Sequence, residues 1–290
     1  MQNINIGFIG LGNMGAPMAK NLCDSGYKLF CYDINDAKNR LPVGATLATS
    51  ISHIAKSAEI IFLCLPNGNI VLEVIDNILK TTDIKTKIIV DNTTAGVSDA
   101  KKAWERLNTA KINYVDAPVS GGVSGAKAGT LAMMVAAPDN IYKNLNPIIS
   151  CMAKNARHVG NEAGQGMAMK LLNNFLSGMA MAASSEALAF GVSQGLKAET
   201  VIEVLNLSTG RNTSTEDKFP KRILTETFDS GFATTLMAKD LTLYVESAQA
   251  ASAPNFLSSN LLEGIWAKML KQWPSSDFTK IYPFIRDYGK

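Results

Sequence analysis

The sequence predicts an α/β protein in two parts. A doubly wound sheet domain fills residues 1–162, an all-α C-terminal domain fills 163–290, and a long interdomain helix joins them. Three observations carry this expectation. Up to about residue 160, short β-prone runs alternate with helical stretches and glycine turns, the pattern of a mostly parallel sheet with helices on both faces. From Met167 to about Gln194 an apolar run continues far beyond the length of a strand, so it reads as one helix. After it only helical patterns follow, with no strand alternation, repeat or low-complexity tract.

A chain of 290 residues has room for about two domains. Its formal charge of +3 is near neutral, and no cluster of lysines and arginines marks a nucleic-acid footprint. Cys23, Cys31, Cys64 and Cys151 form no CxxC pair and sit in apolar settings. They read as free thiols in a reduced, cytoplasmic protein. The uncharged run Ile4 to Ala19 follows Met1-Gln2-Asn3, which is no basic leader, so it does not read as a signal sequence. No segment is expected to span a membrane. Asn173, Asn174, Ser177, Ser184 and Ser185 make the long helix a poor lipid partner.

Ile4 to Ile9 reads as a buried strand. Gly10-Leu11-Gly12-Asn13-Met14-Gly15 and a helical pattern to about Ser25 follow, then a second strand, Lys28 to Tyr32, ending at Asp33. Strand, GxGxxG, helix, strand and acid in this order make a Rossmann-type dinucleotide fingerprint. Gly10 permits the tight turn, Gly12 leaves room for a pyrophosphate and Gly15 lets the helix pack on the strand. Leu11, Asn13 and Met14 complete the loop, whose N–H groups face the phosphates at the helix N-terminus. Asp33 can accept from both ribose hydroxyls and would repel a 2′-phosphate, which favours NAD over NADP. Lys38 and Arg40 nearby pull the other way.

Further strands are expected at Ala45 to Thr49, Glu59 to Leu65, Lys87 to Val90 and Ile112 to Val115. Ligands on such sheets bind beyond the strand C-termini, so Leu65, Pro66 and Thr94 become candidate cofactor neighbours, with plain turn chemistry as the other reading. Asp116-Ala117-Pro118-Val119-Ser120-Gly121-Gly122 follows a strand. Ser120, Gly121 and Gly122 can present successive N–H groups and a hydroxyl to a carboxylate, or form a mobile surface loop. Gly125 to Thr130 is expected to continue that loop into a strand, Leu131 to Ala136. A helix from Pro138 to about Met152 and a strand from Arg157 to Val159 close this half.

Gly164 to Asn174, GQGMAMKLLNN, opens the long helix, which is apolar nearly all round and expected to be buried on most sides. Lys170 is its lone early charge, and Asn174, four residues on, shares its face. A lysine here is either snorkelling from a helix end or in use. Helices are expected at Ala198 to Ser208 and from about Thr234, Pro254 and Asp277, with a polar loop, Thr209 to Thr215, between the first two. Arg211 in that loop is expected at the surface. His53 and His158 stand in no ligand cluster, so no metal is expected.

With these motifs in place, the chain resembles the β-hydroxyacid dehydrogenase family, 3-hydroxyisobutyrate dehydrogenase-like, over nearly its whole length. Gly10 to Leu22 resembles the family's cofactor fingerprint, Asp116 to Leu131 its substrate-binding signature and Gly164 to Asn174 its catalytic signature. The resemblance implies a 6-phosphogluconate dehydrogenase-like C-terminal domain. It further implies Lys170 as acid/base, Asn174 as its substrate-binding assistant, and Lys239 of the Met237-Ala238-Lys239-Asp240 segment near the cofactor. Relatives that use NADP usually carry Asn-Arg where this chain has Asp33-Ile34. Sulfonate-reducing relatives carry an arginine in the substrate loop, and imine reductases lack the lysine. Many members have a glycine-rich segment where this chain has Trp273-Pro274-Ser275-Ser276-Asp277.

The implied activity is hydride transfer between a small 3-hydroxy acid and NAD, with Lys170 taking the hydroxyl proton. That role requires a lysine whose pKa is lowered by burial and by the helix N-terminus. A semialdehyde reductase acting on tartronate semialdehyde, succinic semialdehyde or glyoxylate is the alternative within the family. A non-catalytic NAD-binding protein on the same scaffold is the alternative outside it. The long apolar helix is expected to meet a second subunit, as a dimer or tetramer.

Overall fold

The computed structural model describes residues 4–288. Met1-Gln2-Asn3, read above as lacking a basic leader, lie outside the described residues. The chain divides into two compact units, Met1–Lys170 and Leu171–Lys290.

The first unit is built on a nine-stranded sheet. Its first part runs β1 (Asn5–Ile9), α1 (Gly15–Asp24), β2 (Lys28–Tyr32), α2 (Ala37–Arg40), β3 (Thr46–Leu47), α3 (Ile51–Ser57), β4 (Ile60–Leu63), α4 (Gly68–Leu79), β5 (Ile88–Asp91), α5 (Val97–Thr109) and β6 (Asn113–Asp116). These six strands are all parallel, in the order β3-β2-β1-β4-β5-β6. Strands buried on both faces need continuous apolar runs, and β4 is buried at every position. The sheet separates two cores. Phe8, Leu11, Met18, Leu22 and Phe62 lie in one, and Leu63, Ile75, Ile89, Leu107 and Met167 in the other.

The second part of the sheet departs from the parallel pattern. β7 (Val119–Ser120), α6 (Gly122–Ala128), β8 (Ala132–Ala136), α7 (Asp139–Ile149) and β9 (Asn155–Gly160) complete the unit. β8 runs antiparallel to both β6 and β7 and parallel to β9. The loop expected from Gly125 is instead the helix α6. Packing of the buried Gly125 and Ala126 outweighs the weak helix preference of its two glycines.

α8 (Gln165–Ser193) begins in the first unit and continues into the second. It is less buried than its composition predicts: Leu176 is 58% and Phe190 67% exposed, and Leu172 and Val192 are exposed too. By length and apolar composition alone it is long enough to cross a membrane. The second unit also contains α9 (Ala198–Asn206), α10 (Thr234–Ala250), α11 (Phe256–Leu261), α12 (Ala267–Gln272) and α13 (Ile281–Arg286). Two π-helical segments, Ser214–Ile223 and Leu262–Trp266, are additions that no periodicity announces. The first lies where the loop ending at Thr215 was expected to give way to unassigned chain. The unit's core gathers Met181, Leu188, Phe219, Leu241, Trp266 and Ile281.

Candidate active site

The strand order reverses at β1, which has β2 on one side and β4 on the other. Such a switch point leaves a crevice beyond the strand ends. The Gly10 to Gly15 turn sits there. Gly10 has φ +98°, and a side chain on Gly15 would lie 1.9 Å from the Gly10 carbonyl oxygen. Gly12 has nothing within 4 Å of where its side chain would be. α1 has no side-chain cap and no acidic residue in its first turn, so its leading N–H groups are available to an anion. Asn13 is exposed, Met14 half-buried and Leu11 buried. This shape fits a dinucleotide's phosphates.

Asp33 closes the turn. Its Oδ2 accepts from the Leu11 N–H at 2.6 Å and its Oδ1 from the Asn35 N–H at 2.7 Å. The Arg40 guanidinium reaches the Leu11 carbonyl at 3.5 Å.

At the ends of β4, β5 and β6 a polar network forms. The Leu65 N–H donates to Thr93 Oγ1 at 3.0 Å. The Thr93 N–H donates to Asp91 Oδ1 at 2.9 Å, and the Tyr114 hydroxyl to Asp91 Oδ2 at 2.9 Å. Pro66 is exposed and Thr94 half-buried. Asp91 and Asp116 are paired in the β5–β6 register and both are fully buried. Burial raises the Asp91 carboxyl to about 7, with the neighbouring Asp116 adding to the rise and Thr93 and Tyr114 opposing it. Burial raises Asp116 to about 6, against the pull of N–H groups from Met167, Gly164, Asp116 itself and Gly166.

Beyond β6 the chain forms the short strand β7 and turns. Gly121 and Gly122 have φ +127° and +62°, both are exposed, and Ser120 is half-buried. No side-chain cap occupies the start of α6. Lys170 stands on the second turn of α8 and is buried.

In the second unit the Asn174 amide donates to Asp240 Oδ2 at 2.6 Å, and Lys239 Nζ lies 3.2 Å from Asp240 Oδ1. Asp240 is buried and Lys239 half-buried. Arg211 is exposed and lies 3.5 Å from Glu216.

Comparison with known proteins decides the family. Residues 5–160 match the model of the NAD-binding domain of 6-phosphogluconate dehydrogenase. Residues 164–285 match that of the NAD-binding domain of NADP-dependent 3-hydroxyisobutyrate dehydrogenase. The mitochondrial 3-hydroxyisobutyrate dehydrogenase of Rattus norvegicus is 33% identical over 97% of this chain and 87% of that protein. The chain belongs to the 3-hydroxyisobutyrate dehydrogenase family of β-hydroxyacid dehydrogenases. The 2-(hydroxymethyl)glutarate dehydrogenase of Eubacterium barkeri is 37% identical over 97% of this chain and 95% of that protein. The structure of Mycobacterium tuberculosis 3-hydroxyisobutyrate dehydrogenase with L-serine superposes with a TM-score of 0.90. It is 30% identical and covers 98% of this chain and 99% of the other. As a β-hydroxyacid dehydrogenase, the chain is an NAD(P)-dependent oxidoreductase with a Rossmann-like mixed sheet followed by a helical part.

In this dehydrogenase three carboxylates go beyond the residues that spacing singled out. Asp91, Asp116 and Asp240 are buried and bonded to candidate residues or to their immediate neighbours. Their signal was present as acids ending two apolar runs and as the acid after Lys239. Spacing could not show which way they point. His158 packs against Tyr142 with ring centroids 4.6 Å apart and meets the Ala137 carbonyl at 2.7 Å. His53 lies 3.3 Å from Thr49 Oγ1. Among the described residues no group of three or more His, Cys, Asp or Glu side chains could hold a metal ion. The cysteines are free, and burial pushes the Cys31 thiol up to about 12.

Proposed function

We propose that the enzyme oxidises the primary alcohol of a small 3-hydroxy acid of the 3-hydroxyisobutyrate type, with NAD as its cofactor and Lys170 as general base. One observation carries this reading. Within the first unit, the open glycine turn follows β1, the turn at Ser120, Gly121 and Gly122 lies four residues beyond the end of β6, and the first turn of α8, which leads to the buried Lys170, hydrogen-bonds to Asp116 at that same strand end.

When bound, the dinucleotide supplies the acceptor for the hydride. Gly10, Leu11, Gly12, Asn13, Met14 and Gly15 would hold its phosphates, Asp33 its ribose, and Leu65, Pro66 and Thr94 would line the nicotinamide side. Ser120 and the N–H groups of Gly121 and Gly122 bind the substrate carboxylate. Lys170 removes the hydroxyl proton as the carbonyl forms, a contribution typically worth about 10²–10⁴-fold. Asn174 helps to hold the substrate and Lys239 approaches the cofactor, as the family resemblance implies. The exposed apolar residues of α8 are taken to meet a second copy of the chain.

The test is turnover of 3-hydroxyisobutyrate, 3-hydroxypropionate, glycerate and 2-(hydroxymethyl)glutarate with NAD and with NADP, in the natural chain and in Lys170→Ala. The expected result is activity on one of these acids and loss of at least about a hundredfold in the variant. Turnover by Lys170→Ala within a few-fold of the natural chain would overturn the assignment of the base. Preference for the 2-(hydroxymethyl)glutarate arm would move the substrate to a dicarboxylate, as the name of the relative from Eubacterium barkeri suggests.

A further inference from the structure

We infer that Asp116 is a positioning residue for the reaction: its buried carboxylate pins the first turn of α8 and thereby fixes where Lys170 stands. This rests on Lys170 being the base.

The first N–H groups of an α-helix have no partner inside the helix, and Gly164, the residue before α8, has no side chain with which to cap them. The Met167 N–H donates to Asp116 Oδ2 at 2.9 Å. The N–H groups of Gly164 and Gly166 also favour its charged form. A carboxylate thus does for this helix, from a distant strand, what a local serine or aspartate cap does elsewhere. An anion is also favoured at a helix N-terminus.

The approach is close. A side chain at Gly166 would lie 2.6 Å from the Met134 carbonyl oxygen, 2.7 Å from the Asp116 carbonyl oxygen and 2.9 Å from Asp116 Oδ2. Only a glycine lets the first turn sit this tightly against β6 and β8. Lys170 is one turn beyond Gly166, so any drift of that turn is passed directly to its ammonium. Asp116 is also the end of β6, four residues before Ser120. One residue therefore ties the carboxylate-binding turn to the helix that carries the base.

The other half of the carboxyl argues for a role beyond packing. Asp116 Oδ1 is buried without a hydrogen-bond partner, and the neighbouring acid Asp91 faces it across the strand pair. A fold that needed only to fill this space would be better served by an apolar side chain. The carboxylate is retained in spite of its desolvation and its acidic neighbour, and what it obtains is a fixed helix start.

The test compares Asp116→Ala and Asp116→Asn with Lys170→Ala. It measures kcat, the KM values for substrate and cofactor, and backbone amide hydrogen exchange over 164–170. The expected result for Asp116→Ala is faster exchange over 164–170 and a kcat lower by about ten- to a hundredfold, because small misplacements of a catalytic group cost that much. The cofactor KM stays within about twofold, and Asp116→Asn recovers part of the kcat. A merely structural role would move both KM values with kcat, or would leave kcat unchanged. Asp116→Ala with kcat within twofold of the natural chain overturns the inference, as does a loss of kcat without faster exchange over 164–170. If Asp116→Ala does not fold, Asp116→Asn decides. It keeps an acceptor at the helix start but removes its charge, which weakens the hold on the N–H groups, so unchanged exchange and kcat there would refute the inference. Lys170→Ala that still turns over marks failure of the proposed function. Lys170→Ala dead with Asp116→Ala active marks failure of this inference alone.

Discussion

The amide of Asn174 donates to Asp240 Oδ2 across 2.6 Å. An ionised carboxylate can only accept, so this bond fixes which end of the Asn174 amide points toward it. Asn174 Oδ1 is left on the other side, where the Asn173 amide reaches it at 3.1 Å. Lys239 Nζ shares the same carboxyl at 3.2 Å. A single buried acid thus orients both candidate residues of the second unit.

Asp240→Asn should loosen both. The new amide can present either an acceptor or a donor, so Asn174 loses its fixed orientation, and the partner of Lys239 becomes neutral. We expect kcat/KM to fall about tenfold or more, from a change of roughly 1.4 kcal/mol or greater in a charged hydrogen bond. Steady-state kinetics on the variant checks this. Unchanged kcat/KM would mean that Asn174 does not need Asp240.

The buried Asp91 should make the enzyme less stable as pH rises through weak acidity. Its folded-state pKa is raised to about 7, against an ordinary value of about 3.9 in an unfolded chain. Between those values the folded protein binds the proton that the unfolded chain has released, so this group favours folding most below pH 4. The advantage is lost progressively as pH climbs toward 7. Over that window the change is on the order of 4 kcal/mol. Asp116 moves in the same direction, since it too is raised, to about 6. Denaturant midpoints of the natural chain and Asp91→Asn, each at pH 5 and pH 8, isolate the effect. The natural chain should lose more stability between the two pH values than the variant does, and equal losses would contradict the burial argument.

The alternation of apolar runs and glycine turns made the parallel half of the sheet legible to within a residue or two, because strands buried on both faces must be apolar throughout. The strand after Asp116 was less legible. β7 has two residues and pairs antiparallel with β8, and such a turn-back depends on contacts that spacing does not encode. α6 was read as loop because glycine and alanine carry no periodicity. Which side of α8 is exposed was not legible for a related reason: an apolar residue is the same letter whether this chain or another molecule covers it. The glycine turn, Asp33, the Ser120 turn and Lys170 were visible as motifs. Asp91, Asp116 and Asp240 were visible only as letters, since their importance lies in which N–H or amide each side chain meets.

The tail carries a different kind of signal. Trp273 to Asp277 departs from the family's glycine-rich pattern, yet Asp277 is a hub of the second unit. Its carboxylate accepts from Ser230 Oγ at 2.8 Å, the Gly231 N–H at 2.9 Å and the Thr279 N–H at 3.0 Å. Asp277→Ala should lower stability by about 2–4 kcal/mol, because several donors lose one charged acceptor together. Thermal unfolding of the variant measures this. A midpoint unchanged within a degree would show that water replaces the carboxylate at no cost.

We expect cofactor choice to turn on Asp33 and Arg40. The Asp33 carboxylate is already bonded to the N–H groups of Leu11 and Asn35, yet each oxygen keeps a lone pair for a ribose hydroxyl. Its charge would repel a 2′-phosphate at short range. Arg40, 3.5 Å from the Leu11 carbonyl, would attract one, but it is exposed and shares the field of Asp36 at 3.9 Å. A charge held against the loop by two N–H groups acts at closer quarters than a solvated guanidinium on a long stem, so we expect NAD to be preferred. Asp33→Asn should then narrow or reverse the preference by roughly tenfold or more, since it removes the repulsion and leaves Arg40 in place. The activity with NAD should also fall, because the Leu11 N–H loses its charged acceptor. Adding Arg40→Ala to Asp33→Asn should return part of the discrimination against NADP. The measurement is the ratio of kcat/KM for the two cofactors across the three proteins. A natural chain that already prefers NADP would mean that Arg40, not Asp33, sets the choice.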